Sequence, residues 1–193
     1  HINTPNFRYS DKTLSTTFER SSIDKSIDFG YKSEKTGMAL GSYFEQYSDT
    51  FFSPKVAIYL ESLETDLTAS EKLKKQEGDY FDTIFSYGID YDKRNQTYQP
   101  TDGFISSFDQ SIPLISEDYI ITNAYTFTKY KELSEGTIAS LSFFTKATNS
   151  LSGDDVRISE RLFLPPRKLR GFQAGKFGPK DNNDYIGGNY ASA

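Results

Sequence analysis

The chain has 193 residues, a formal net charge of −5, no cysteine, and a single histidine at position 1. Those counts exclude disulfides, zinc–thiolate centres and thiol nucleophiles, leave a Ser-His-Asp relay only a terminal residue to rest on, and supply no basic surface of the kind nucleic acid requires. Phe and Tyr number 16 and 14 while the hydrophobic fraction is only 36%, which suits aromatic side chains aligned on one face of many strands better than an aliphatic enzyme core.

Taken in chain order, period-2 alternation recurs throughout. From Gly37 to Glu45, Met38, Leu40 and Phe44 share one face, and Gly37, Ala39 and Gly41 share the other. Val56, Ile58 and Leu60 alternate with Ala57, Tyr59 and Glu61. The run TASEKLKKQEG (68–78) reads as a polar loop with room for a short helix. Phe81, Thr83, Phe85, Tyr87, Ile89 and Tyr91 form the clearest ladder, backed by Asp82, Ser86, Gly88 and Asp90. Phe104, Phe108 and Ile112 alternate with Ser107, Asp109 and Ser111. Tyr119, Ile121, Tyr125 and Phe127 alternate with Thr122, Ala124, Thr126 and Thr128, and Leu141 and Phe143 with Ser140 and Ser142. No helix-length segment separates these runs, so the sheet is expected to be an antiparallel meander.

The connectors divide into tight ones (YSDT, YQPTDG and ELSEG) and long polar ones at 64–79 and 150–189. Short turns at one end and long loops at the other are the asymmetry of outer-membrane barrels. Tyr80, Tyr91, Tyr119 and Tyr130 fall at strand ends, where an interfacial girdle would sit. No segment reaches the ~20 consecutive apolar residues of a membrane helix, which leaves transmembrane strands open. A soluble β-sandwich would show the same alternation. The chain starts on His and stops in mid-pattern, and it reads as an internal fragment.

The last connector is the most informative. RLFLPPRKLRGFQAGKFGPKDNNDYIGGNY (161–190) carries Leu169, Arg170, Gly171 and Phe172, then Gly178, Pro179 and Asp181, then Gly187, Gly188 and Asn189. In that order these residues resemble the sixth extracellular loop of the BamA family, also called the bacterial surface antigen family. GIDYDKRNQTYQPTDGF (88–104) is similar to a long strand of that family entering a periplasmic turn, and NTPNF (3–7) to the end of an earlier strand. Two departures stand out: Pro165-Pro166 replaces the usual Gly-Gly, and Leu169 replaces Val.

The resemblance implies an all-β, antiparallel transmembrane β-barrel of sixteen strands. Residues 1–193 would run from the tail of strand four, through strands five to eleven and the loop at 150–189, into strand twelve. The periplasmic POTRA domains and the last strands would be absent. It also implies that Leu169, Arg170, Gly171 and Phe172 dock inside the lumen, on strands beyond residue 193. Gly178, Pro179, Asp181, Gly187, Gly188 and Asn189 would then shape the loop and start the next strand. The function implied is folding and insertion of other outer-membrane proteins in the bacterial outer membrane, without catalysis, cofactor or metal. Expected partners are outer-membrane lipid, nascent outer-membrane proteins and accessory lipoproteins of an assembly complex, not nucleic acid. A two-partner secretion or TamA-like translocation barrel is the alternative within the superfamily, and a soluble β-sandwich binding module the alternative outside it.

Other motifs carry less. Asp181, Asn183 and Tyr185 lack the spacing of a calcium loop, Asp154-Asp155 reads as hydrated, and Asn95-Gln96-Thr97 is a sequon without consequence in a bacterial protein. An incomplete barrel exposes two sheet edges, so the isolated fragment is expected to be unstable.

Overall fold

Where apolar and polar residues alternate, the chain is extended. A computed structural model describes the chain except residues 11, 68, 165–170, 172, 174, 177, 182 and 183. Its strands are β1 (Ile2–Thr4), β2 (Thr13–Lys25), β3 (Tyr31–Tyr47), β4 (Thr50–Thr65), β5 (Gly78–Asp92), β6 (Gly103–Ile115), β7 (Ile120–Ser134), β8 (Thr137–Ser150), β9 (Lys180–Asp181), β10 (Asp184–Tyr185) and β11 (Tyr190–Ser192). Two single-turn helices interrupt them, α1 (Ser26–Phe29) and α2 (Glu71–Lys74). Ser70 caps α2, its hydroxyl accepting from the Leu73 amide.

β1 to β8 and then β11 form one nine-stranded sheet in chain order, every neighbouring pair antiparallel, while β9 and β10 make a separate hairpin. This is the expected meander. The nine strands make one open sheet, and the other sheet among the described residues is the β9–β10 hairpin of two residues per strand, too small to be the second layer of a β-sandwich, so that alternative does not hold.

The two faces of the sheet invert the pattern of a water-soluble protein. On β4, Val56, Ile58 and Leu60 are exposed while Ala57, Glu61 and Leu63 are buried. Registers carry that parity across the sheet: Tyr59 lies opposite Gly37 and Asp82, Lys35 opposite Glu61, and Ser86 opposite Ser111. One face therefore presents Phe18, Met38, Leu40, Phe81, Ile89, Tyr91, Leu141 and Phe143 to the surroundings. The other gathers Ser33, Lys35, Glu61, Asp82, Asp109, Thr122, Thr148 and Lys146. An exposed apolar face on many strands with a polar face behind it is the arrangement a bilayer selects, because water lies inside and hydrocarbon outside. At about 3.3 Å per residue, the 17 residues of β3 span roughly 55 Å, far more than the ~30 Å hydrocarbon core even when tilted. The excess explains why the outward face of β2 and β3 becomes charged beyond Phe18 and Met38, at Arg20 and Glu34.

Three expectations need correction. Tyr80 and Tyr130 share the polar face, as their pairing with Glu61 and with Gly103 and Ser140 requires, so only Tyr91 and Tyr119 are available to a girdle. YQPTDG is not a tight turn but the second half of a connection spanning residues 93–102. The asymmetry of the ends is also partial: residues 48–49 and 135–136 close tight hairpins and 66–77 and 151–189 form long loops at the opposite end, but 26–30 and 116–119 are short and share that loop end. β2 escaped the pattern reading because its run TLSTTFERSSIDK offers one aromatic, Phe18, among Ser and Thr.

Apolar burial is concentrated at the loop end. Phe29, Tyr31, Leu63, Ala69, Leu73 and Ile158 form the buried cluster, with Tyr80, Phe163, Tyr185 and Ile186 packed around it. Its members come from α1, β3, β4, the 66–77 connection with α2, and the final long loop, so that loop is fixed by packing before any charge is considered.

Candidate functional site

The site is where residues 156–163 of the final loop lie on the polar face. The chain is exposed through Leu151–Asp155 and then turns inward, with Val156, Arg157 and Ile158 all nearly inaccessible. Ile158 enters the apolar cluster, and its amide donates to Gln76 Oε1 at 2.9 Å. Arg157 points at the strands.

Arg157 is 2% exposed and is met by three carboxylates. Its Nη1 donates to Glu61 Oε2 at 3.1 Å and its Nη2 to Asp82 Oδ2 at 2.9 Å. The second oxygen of each carboxylate is held by a serine: Ser33 donates to Glu61 Oε1 and Ser116 to Asp82 Oδ1, each at 2.6 Å. Nε lies 2.9 Å from Asp118 Oδ2, but its N–H is not aligned with that oxygen, so the contact is an ion pair and not a hydrogen bond. The guanidinium also covers the Tyr80 ring at 3.9 Å from its centroid. Burial opposes the charge of Arg157, but Asp82, Glu61 and Asp118 outweigh it and hold the group above the ordinary arginine value. For Asp118 the balance is reversed: burial pushes its carboxyl up, and Arg157 only partly offsets this.

A reciprocal pair lies beside it. The 3₁₀ turn Ile158–Glu160 brings Glu160 to Lys35, whose Nζ donates to Glu160 Oε1 at 3.0 Å. Lys35 and Glu61 are directly opposite on β3 and β4, so loop and sheet each offer one charge of either sign in crossed register. Lys35 Nζ also lies 4.7 Å from the Tyr59 ring centroid. That ring occupies the space above Gly37, where a Cβ would overlap it and sit 2.6 Å from Ile58 O.

The loop is closed at its base by an isolated bridge between Leu162 and Gly188, with amides donating in both directions at 2.8 and 2.9 Å. Phe163 packs edge-on against Phe29 at 5.1 Å, and Lys25 Nζ lies 5.2 Å from the Phe163 ring. At Gly187 the backbone has φ +65 and any Cβ would press within 2.9 Å of Leu162 O, so only glycine fits.

Of the residues singled out from sequence, Leu169, Arg170 and Phe172 lie outside the described residues, as do Pro165, Pro166 and Asn183. Gly171 is in a turn at φ +88, and Gly178 has φ +122. Pro179 O accepts from Ile186, and Asp181 pairs with Asp184 across the β9–β10 hairpin. Asn189 O accepts from Thr148 immediately before β11 pairs with β8. Asp154 and Asp155 are exposed. Arg157 was not singled out. Its signal is faint but readable: an arginine between two β-branched aliphatics, Val156 and Ile158, in a stretch otherwise of Ser, Gly and Asp.

The described residues include no group of three His, Cys, Asp or Glu arranged for a metal ion. A buried, charge-assisted network fixes one arm of a long loop to the polar face.

The model of the Omp85 superfamily domain matches residues 2–193. Among solved structures, the crystal structure of BamA from Haemophilus ducreyi lacking POTRA domains 1-3 superposes with a TM-score of 0.84 at 19% identity, over 97% of this chain and 42% of that one. The chain thus spans under half the length of that protein. No curated protein matches significantly.

Proposed function

Because the chain belongs to the Omp85 superfamily, we propose that it is part of a bacterial outer-membrane barrel that folds and inserts other outer-membrane proteins. The observation that carries this reading is the inverted sheet with a loop arm locked on its polar face. Such a sheet suits a barrel whose lumen is occupied by its own loop, unlike a porin whose lumen is open to solutes. The fold shared with BamA supports it. Partners on this reading are outer-membrane lipid, unfolded outer-membrane proteins whose strands pair at an open sheet edge, and accessory lipoproteins of an assembly complex. Leu169–Phe172 is the segment we assign to docking within the lumen, and Arg170→Ala in the full-length protein is expected to weaken assembly.

Depleting the full-length protein in its host and quantifying outer-membrane proteins tests the proposal. A fall across many unrelated barrel proteins supports general assembly. Loss of one secreted protein alone, with other barrels at normal levels, refutes it and selects the two-partner secretion reading; a narrow set of clients selects the TamA-like one.

A further inference from the structure

At the end where residues 48–49 and 135–136 close tight hairpins, residues 93–102 form a much longer connection whose shape is over-determined. Arg94 grips Asp92 through both Nε (2.8 Å) and Nη2 (2.6 Å). The Asn95 side chain accepts from the amides of Thr101 (3.1 Å) and Asp102 (3.3 Å) and donates to Thr101 Oγ1 (2.7 Å). Gln96 Nε2 donates to Gln99 O at 2.6 Å across the tip. Lys93 pairs with Asp49 of one neighbouring turn, and Lys131 of β7 with Asp102 at 3.5 Å. Gly103 has φ +96, and a Cβ there would fall on the Lys93 carbonyl.

This framework holds an unusual tip. Tyr98 is 81% exposed, and Gln99 beside it has φ +51, a conformation costly for a residue with a side chain. From Asn95 to Thr101 the sequence NQTYQPT contains no Lys, Arg, Asp or Glu, whereas the charges are confined to the base at Asp92, Lys93, Arg94 and Asp102. A rigid loop that projects an aromatic ring from a neutral tip, with charges only around its base, has the make-up of a protein–protein contact: an aromatic anchor inside a polar rim, with its ordering cost already met. A loop made for lipid headgroups would carry cations at its tip.

We propose that residues 93–102 are a recognition loop for a folded protein partner at the tight-turn end, inserting Tyr98 into an apolar pocket of that partner. The neutral tip makes the contact insensitive to ionic strength. The proposal is independent of whether the barrel assembles or translocates its clients.

The test places a benzophenone amino acid at position 98 of the full-length protein in its native membrane, with positions 47 and 133, exposed by 71% and 68% at the same end, as comparisons. The expected result is one discrete protein adduct at 98 and none at 47 or 133. The partner, identified by mass spectrometry and purified, should bind detergent-solubilised full-length protein with affinity unchanged between 50 and 500 mM salt, roughly tenfold or more weaker for Tyr98→Ala and near wild type for Tyr98→Phe. Asn95→Ala, which keeps the ring but frees the loop, should also weaken binding. Lipid adducts only, equal labelling at all three positions, no adduct, or undiminished affinity in a correctly folded Tyr98→Ala protein would each overturn the proposal.

Discussion

Replacing Arg157 by alanine in the full-length protein is the sharpest test of the anchored loop. Glu61 and Asp82 have side chains only 1% and 4% exposed, so removing the guanidinium leaves two buried carboxylates with one serine each and no ion-pair partner, Glu61 keeping only the more distant charge of Lys35. Breaking a buried pair in this way costs about 3–5 kcal/mol. At about 1.4 kcal/mol per tenfold, that raises the undocked population of the arm by at least two orders of magnitude. The Tyr80 contact adds to the loss, though not independently of the ion pairs. The assay is limited proteolysis of residues 151–163 in folded, purified barrel, alongside the temperature at which heat-modifiability is lost. Arg157→Ala should be cut far faster and lose its compact form at lower temperature. Arg157→Met combined with Glu61→Gln and Asp82→Asn removes all three charges together and should recover most of that loss, because a buried ion network owes little net stability to its own formation. Wild-type protease resistance in the single variant, or no recovery in the triple, would refute the argument that the loss comes from buried carboxylates left without their partner.

Asp118→Asn should be nearly silent in the same assay: its side chain is 23% exposed and burial already raises its carboxyl, so losing the charge relieves about as much as it removes. Val56→Arg, near the middle of the outward apolar run Phe52–Leu60, should cost about 2–4 kcal/mol in denaturant unfolding from lipid vesicles, whereas Lys55→Gln on the polar face should change little. Gly37→Val should lower the folded fraction sharply, since the added atoms fall on the Tyr59 ring and the Ile58 carbonyl; refolding yield followed by gel mobility would show it. In the 48–49 turn, the hydrogen bond from Lys93 holds the Asp49 carboxyl below its ordinary value. A folded-state pKa below the unfolded one stabilises at pH above the ordinary carboxylate value, and that contribution fades as pH falls through the folded value. Asp49→Asn should therefore flatten the acid limb of the stability–pH curve slightly, and an unchanged limb would count against the pairing.

The alternation from Gly37 to Phe143 is enough to place β3 to β8 and assign their faces, because a pleated strand exposes side chains with a period of two whatever surrounds it. Thus Met38, Leu40, Val56, Ile58, Leu60 and the Phe81–Tyr91 ladder all fall on the outward face as the pattern implies. β2 was missed where Ser and Thr dominate, since there the tertiary pairing with β3, and not side-chain hydrophobicity, makes the strand. That the aromatic face is the outward one is decided by the open sheet, since a β-sandwich would show the same alternation with that face buried. What sequence alone did not determine is the destination of single polar residues. Tyr80 looked like a girdle tyrosine and instead lies beneath a guanidinium; Arg157 looked like one more residue of a hydrated loop and is among the most buried in the chain. Local periodicity cannot locate such residues, because Glu61, Asp82, Asp118 and Arg157 come from four separate segments up to 96 positions apart. Only closure of β4, β5 and the loops above them into one wall brings the charges within 3 Å or so, and only burial makes that proximity decisive.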